Sequence, residues 1–453
     1  MPKRESLQAA SRPETVILRQ AQDDIVSQMA LFDGSTEASA ELSPALAKVR
    51  LRVLVLLATV VLFGVLGWGG CASRPLLDKV RIAPQVISPN ADGQADVTRV
   101  SYRLARSADL SIYFVDSQGQ RHYFRQNRRR SPGEYQVDFG GVIEGRMLPD
   151  GHYTCVLEAT EVGSGRMARE EDTLTLVDAD TVTPELGSFS VYPHTFTPNQ
   201  DGFDDRVTIE YYLSKPAQVQ VFLLGPNGEK YPIAEKERKV KPGEVGAHFY
   251  DYEGGVDLGA EPPPDGTYIV WAQAEDNVGN KTTVTDTLTI RQGGVPRADI
   301  VNLEVDFEPK IVPLGETLHF TLTVENFGAV PIRTSGPPPG TLYESDINFN
   351  QLEWYEEPGA WRVGIDFETN SSGRPYPYRW ALGSDEDLEV RVVDGDTRRH
   401  LMPGERAVVT GFIRIKDPPP RNPIYFWAGL IHEEVRIDPF NDHVDAQLIS
   451  IGF

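Results

Sequence analysis

The sequence predicts an all-β protein: three tandem Ig-like β-sandwich domains after one N-terminal transmembrane or signal helix. Three observations predict it. An uncharged apolar run covers Val53–Ser73, apolar and polar residues alternate at period two through much of the remainder, and a motif recurs at the spacing of one domain. With 453 residues the chain exceeds one ordinary domain.

Lys48, Arg50 and Arg52 precede the apolar run, whose segment Val53–Trp68 holds five Leu, five Val and one Phe. At the usual transfer values those side chains contribute about −3 to −7 kcal/mol towards membrane insertion. The basic cluster stays cytoplasmic, so everything C-terminal is exported. Two exported forms are open. The run ends in Leu66-Gly67-Trp68-Gly69-Gly70-Cys71, a pattern that resembles a bacterial lipoprotein signal, with Trp68 where Leu is usual; Cys71 would then carry the lipid. Otherwise residues 51–73 remain as a single-pass helix, just long enough to span the bilayer. Residues 1–50 are read either as a disordered cytoplasmic tail or as a start assigned too early, because Ser11–Asp24 resembles translated intergenic repeat DNA.

The formal net charge is −22, and only 37 basic against 59 acidic residues follow Cys71. Such a surface repels phosphate backbones, so no nucleic-acid partner is expected, and it favours cations. Cys71 and Cys155 are the two cysteines, which excludes a disulfide scaffold.

Ile87-Ser88-Pro89-Asn90-Ala91-Asp92-Gly93-Gln94-Ala95-Asp96 recurs as Phe196-Thr197-Pro198-Asn199-Gln200-Asp201-Gly202-Phe203-Asp204-Asp205, 109 positions later. Downstream, Pro149-Asp150-Gly151-His152-Tyr153 parallels Pro264-Asp265-Gly266-Thr267-Tyr268. Val100-Tyr102-Leu104, Leu110-Ile112-Phe114 and Tyr153-Cys155-Leu157 alternate in the first copy. Val207-Ile209-Tyr211, Val219-Val221-Leu223 and Tyr268-Val270-Ala272 do so in the second. Strands at this spacing, separated by Asn-Gly and Asp-Gly turns, indicate sandwiches over 80–178 and 181–291.

The Ser/Thr-Pro-Asn-x-Asp-Gly-x-x-Asp opening with its later Pro-Asp-Gly-x-Tyr strand resembles the Ig-like domain of the flagellar hook-capping protein and related modules on secreted bacterial proteins. That resemblance implies the module, not flagellar assembly, because the hook-cap protein's own N-terminal region is missing. After Gly293-Gly294-Val295-Pro296, a third region over 298–453 opens Ala298-Asp299-Ile300-Val301 and later carries Asp438-Pro439-Phe440-Asn441-Asp442. It is similar to the bacterial cell-adhesion-related β-sandwich domain at both ends. A stretch rich in Pro, Gly, Trp and Tyr, roughly 333–385, reads as an insertion.

Asn90, Asp92 and Asp96, repeated as Asn199, Asp201 and Asp205, place oxygen side chains around a Gly turn. Such an arrangement either binds Ca²⁺, with carbonyls and waters completing its shell, or forms a self-capped Asx turn. Trp354, Trp361, Tyr376, Tyr378 and Trp380 either form a contact platform for glycan or protein partners or fill a small core of the insertion. Arg121, Arg125, Arg128, Arg129 and Arg130 read as a protected sheet edge or a contact for an acidic polymer. Cys155 aligns with Val270 and reads as core. The eight histidines lack zinc spacing, and no nucleophile elbow, His-Glu-x-x-His, phosphate loop or dinucleotide fingerprint occurs. The expectation is a non-catalytic, structural or adhesive protein of the cell envelope, on the exported side of the cytoplasmic membrane; the alternative is a glycan-binding or accessory subunit of an envelope complex.

Overall fold

The computed structural model describes residues 74–236, 239–393 and 395–452. The apolar run, Cys71 and residues 1–50 lie outside them. Residues 75–453 form one compact unit, all-β and built as tandem β-sandwiches.

The first sandwich packs a three-stranded sheet, Leu77–Ala83, Thr98–Leu104 and Gly133–Phe139, on a five-stranded one. The larger sheet runs Val86–Ile87, Met167–Leu176, Gly151–Glu161, Ala108–Val115, Arg121–Arg130. The second repeats this order with Leu186–Tyr192, Val207–Leu213 and Gly246–Tyr252 against Thr195–Phe196, Lys281–Ile290, Gly266–Glu275, Gln218–Leu224 and Lys230–Pro232. In both, the shortest strand pairs in parallel with the last. Alternation drives the packing: Val207, Ile209, Tyr211 and Leu213 are buried while Thr208, Glu210 and Tyr212 face out. Fully burying each large apolar side chain contributes about 1.5–3 kcal/mol.

The repeated Pro-Asp-Gly-x-Tyr motif now has a mechanical account. Tyr153 and Tyr268 donate their hydroxyls to the carbonyls of Pro149 and Pro264, at 2.8 and 2.6 Å. Asp150 accepts from the N–H groups of Asp178 and Ala179, and Asp265 from those of Gln292 and Gly293. Each motif thus ties the start of one long strand to the chain leaving the next.

The third sandwich is larger. Ala298–Ile300, Thr317–Asn326, Arg406–Arg414, Leu342–Glu344 and Asp306–Glu308 form one sheet; a nine-stranded sheet faces it. The stretch expected as an insertion supplies strands to both sheets, Leu342–Glu344 to the smaller and Trp361–Phe367 and Tyr378–Ala381 to the larger. Trp361–Phe367 lies inside it, paired with Ile424–His432, Ile332–Thr334 and Tyr378–Ala381. Residues 361–366 are all buried, so both faces of the strand are covered and no period-two signal exists to read.

Arg121–Arg130 is the outer strand of its sheet. Arg129 pairs with Asp109, and the guanidinium groups of Arg121, Arg125 and Arg130 lie over Tyr113, Phe124 and Tyr135. Charged side chains on an outer strand oppose edge-to-edge pairing.

Candidate functional site

The two copies of the Asn-Asp-Gly loop close on themselves in the same way. Asp96 accepts from the N–H groups of Asn90, Ala91 and Gly93, at 3.2, 2.8 and 2.8 Å. Asp205 accepts from those of Asn199, Asp201 and Gly202, at 3.1, 3.3 and 2.7 Å. Asn90 and Asn199 each accept from the residue two positions on, as do Asp92 and Asp201. This is Asx-turn chemistry. Among the described residues, no group of three His, Cys, Asp or Glu side chains is placed to hold a metal ion.

The copies differ in surroundings. Residues 91–95 of the first loop are exposed. The second loop is clamped by the third sandwich. Arg333 donates from Nε to the Asp201 carbonyl at 2.6 Å and from Nη2 to the Pro358 carbonyl at 2.5 Å, while Nη1 pairs with Glu357 at 3.0 Å. His432 Nε2 donates to the Gln200 carbonyl at 2.8 Å, its ring stacked on Trp361. Phe203, which replaces Gln94 of the first copy, takes Arg333 and Arg398 guanidinium groups at 4.9 and 3.4 Å from its centroid. Such contacts stabilise by about 0.5–2 kcal/mol each. The backbones themselves touch: a β-carbon on Gly202 would meet the Pro358 carbonyl oxygen at 2.1 Å, and one on Gly359 the Gly202 nitrogen at 2.3 Å.

Enclosure changes the electrostatics. Burial raises the Asp201 pKa, and burial together with the neighbouring Asp201 carboxylate pushes Asp205 up to about 6. Burial drives His432 down to about 4, and burial with nearby Arg391 does the same to His400. Both imidazoles keep Nδ1 enclosed without a partner among the described residues.

Behind the clamp lies a buried ion cluster. Arg362 and Arg379 both reach Glu433, at 3.0 and 2.7 Å. Their remaining N–H groups donate to the carbonyls of Ser335, Tyr355, Tyr376 and Pro375. The cluster is held together by satisfied donors, which is what makes buried charge tolerable. Nothing in the sequence marked it, because Arg362 sits between Trp361 and Val363 in an apolar strand.

The aromatic residues expected at a contact surface require correction. Trp361, Tyr376, Tyr378 and Trp380 are at most 2% exposed. Trp361, Tyr378 and Trp380 belong to the main core of the third sandwich, and Tyr376 packs against Gly364 and Gly429. Tyr378 donates to the Ser345 carbonyl and Trp380 Nε1 to the Thr341 carbonyl, so their polar ends are satisfied inside. Trp354 alone of the five is half-buried, one part packed on the core and the rest lining a groove beside the clamp. Cys155 is fully buried, its thiol pushed up to about 12 by burial.

A shorter joint links the first two sandwiches. Lys215 donates to Asp180 and Asp276 at 2.6 and 2.7 Å and to the Val182 carbonyl. Asn280, fully buried, accepts from the Met147 N–H and donates to the Asp180 carbonyl and the Asp276 carboxylate.

No protein-family model matches the chain, and no curated protein sequence matches it. Solved structures that align with the chain include α-2-macroglobulin of E. coli, at 14% identity over 83% of this chain and TM-score 0.18. The chain spans 23% of that protein's length. A tetra-tandem repeat from the extending region of a large adhesion protein aligns at 13% identity, over 78% of this chain and 81% of the repeat, with TM-score 0.17. A DUF4785 family protein from Legionella pneumophila aligns at 8% identity, over 82% of this chain and 86% of that one, with TM-score 0.22.

Proposed function

We propose that the chain is a non-catalytic surface protein of the cell envelope, anchored by residues 51–73 or by a lipid on Cys71, in which tandem sandwiches carry an adhesive third domain. The observation that supports this reading is the second joint. A flexible string of modules would leave the Asn199–Asp205 loop in water, as the first copy is; instead Arg333, Arg398 and His432 of the next domain hold it, the two arginines on its Phe203 ring. Such a joint transmits position and force along the chain, which suits a protein that holds a contact domain away from a membrane. The basic residues before the apolar run and the acidic surface beyond it support export of residues 75–453.

The test has two parts. Protease added to intact cells should degrade residues 75–453; full protection of that region would overturn the location. Removing residues 298–453 should abolish partner capture while leaving the remainder anchored. Unchanged capture would overturn the adhesive role of the third domain. Intact mass of the mature N-terminus separates lipid from helix.

A further inference from the structure

We infer that the groove beside the second joint binds an acidic carbohydrate chain through Trp354 and Arg398. The inference deepens the adhesive reading above and rests on it. The groove has a volume of about 810 Å³, within the roughly 300–1,000 Å³ of small-ligand sites, and it lies next to a junction of domains, where such sites concentrate.

Its chemistry is uneven in an informative way. Three arginines line it. Arg333 is committed to Glu357 and to the clamped loop, and Arg399 to Asp385. Arg398 has no carboxylate partner within ion-pair distance among the described residues. Its guanidinium lies on the Phe203 ring, its Nε is enclosed without an acceptor, and it feels the Asp201 carboxylate only through space. A planar cation held on a ring is preorganised to take a carboxylate with two parallel hydrogen bonds.

Trp354 and Pro338 supply apolar lining. Among the described residues the Trp354 indole N–H has no acceptor. A half-buried indole with a free N–H suits the C–H face of a pyranose ring and one of its hydroxyls. Ser384 adds a hydroxyl able to hydrogen-bond sugar hydroxyls; of the lining carboxylates, Glu357 and Asp385 are neutralised by Arg333 and Arg399, which leaves Glu386 at the rim as the one without an ion pair among the described residues. An extended peptide fits less well. Arg398 and Arg399 lie on a strand already paired on both sides, with Ile332–Thr334 and Glu389–Val393, so the groove offers no free strand edge.

The experiment is calorimetric titration of the full-length, detergent-solubilised protein with oligogalacturonate, against a neutral maltooligosaccharide of equal length. Saturable binding of the acidic chain, at least tenfold tighter than the neutral one, is expected. Trp354→Phe, which keeps a ring against the core and loses the indole N–H, should weaken it, and Trp354→Ala should weaken it at least tenfold. Arg398→Gln should do the same, and Arg398→Lys, which keeps the charge and loses the bidentate geometry, should fall between. Absent binding, equal affinity for both sugars, or wild-type affinity in Trp354→Ala would overturn the site. So would binding abolished by Arg128→Ser with Arg129→Ser on the first sandwich but untouched by Arg398→Gln. The protease and deletion tests above use no saccharide, so failure here leaves their outcome standing and the two readings are separable.

Discussion

Gly359 and Gly202 face one another across the second joint with no room for a side chain on either. Gly359 holds φ +76°, and an added β-carbon there would lie 2.3 Å from backbone atoms of the clamped loop. Left-handed strain and overpacking each cost about 1–3 kcal/mol. Gly359→Val is therefore expected to destabilise the joint by about 2–5 kcal/mol, read from urea unfolding. A neutral effect would show that the loop does not seat. Cys155 marks a different residue-scale case. Its fully buried thiol, raised to about 12, should resist a soluble disulfide reagent in the native protein and react on denaturation. Rapid native labelling of Cys155, located by peptide mapping, would contradict that burial. Alignment of Cys155 with Val270 made this core position readable in the sequence. The role of Phe203 was not, because a single aromatic replacing Gln94 in a turn carries no signal until its two guanidinium partners, distant in sequence, are brought to it.

Among the elements, legibility followed the number of exposed faces. Strands with one wet face, such as Val207–Leu213, showed their alternation and were placed correctly. Trp361–Phe367, covered on both faces, showed none, and its aromatic neighbours resembled surface ligands when they are core. The clamp elements also predict a pH response. His400 and His432, at about 4 in the fold against an ordinary 6.5, stay neutral while the unfolded chain takes up protons. Below pH 6.5 each therefore removes about 1.4 kcal/mol of stability per pH unit until about pH 4. Asp205, at about 6 against 3.8, works the other way: its contribution is complete at low pH and fades as pH rises through 6. Between pH 6.5 and about 6 the histidines act before Asp205 and the likewise raised Asp201 oppose them, so stability of the clamped joint should fall as pH drops through that window. His432→Gln should flatten that slope by about one proton's worth. An unchanged slope would place the titration elsewhere.

At the scale of the whole molecule, the question is whether sandwiches fold and unfold as separate beads. The sequence announced modules by repeat and turn chemistry but said nothing about joints, since Lys215 with Asp180 and Arg333 with the Asp201 carbonyl are long-range pairs without periodicity. Short linkers alone permit independence; buried polar bridges do not, because opening the joint leaves donors and charges to be rehydrated on both sides. Arg333 is the decisive group. Its guanidinium holds two carbonyls and Glu357 and faces Phe203, with its side chain 6% exposed. Removing it leaves the enclosed Asp201 and Pro358 carbonyls without their donor, at about 1–3 kcal/mol each, while Glu357, 43% exposed, is rehydrated. Wild-type calorimetry should therefore show the second and third sandwiches melting together. Arg333→Ala should split that transition in two, the second sandwich keeping its own core of Val207, Ile209, Leu288 and Ile290. Separate transitions already present in the wild type would mean that the joint transmits nothing, and the mechanical part of the proposed function would fall with it.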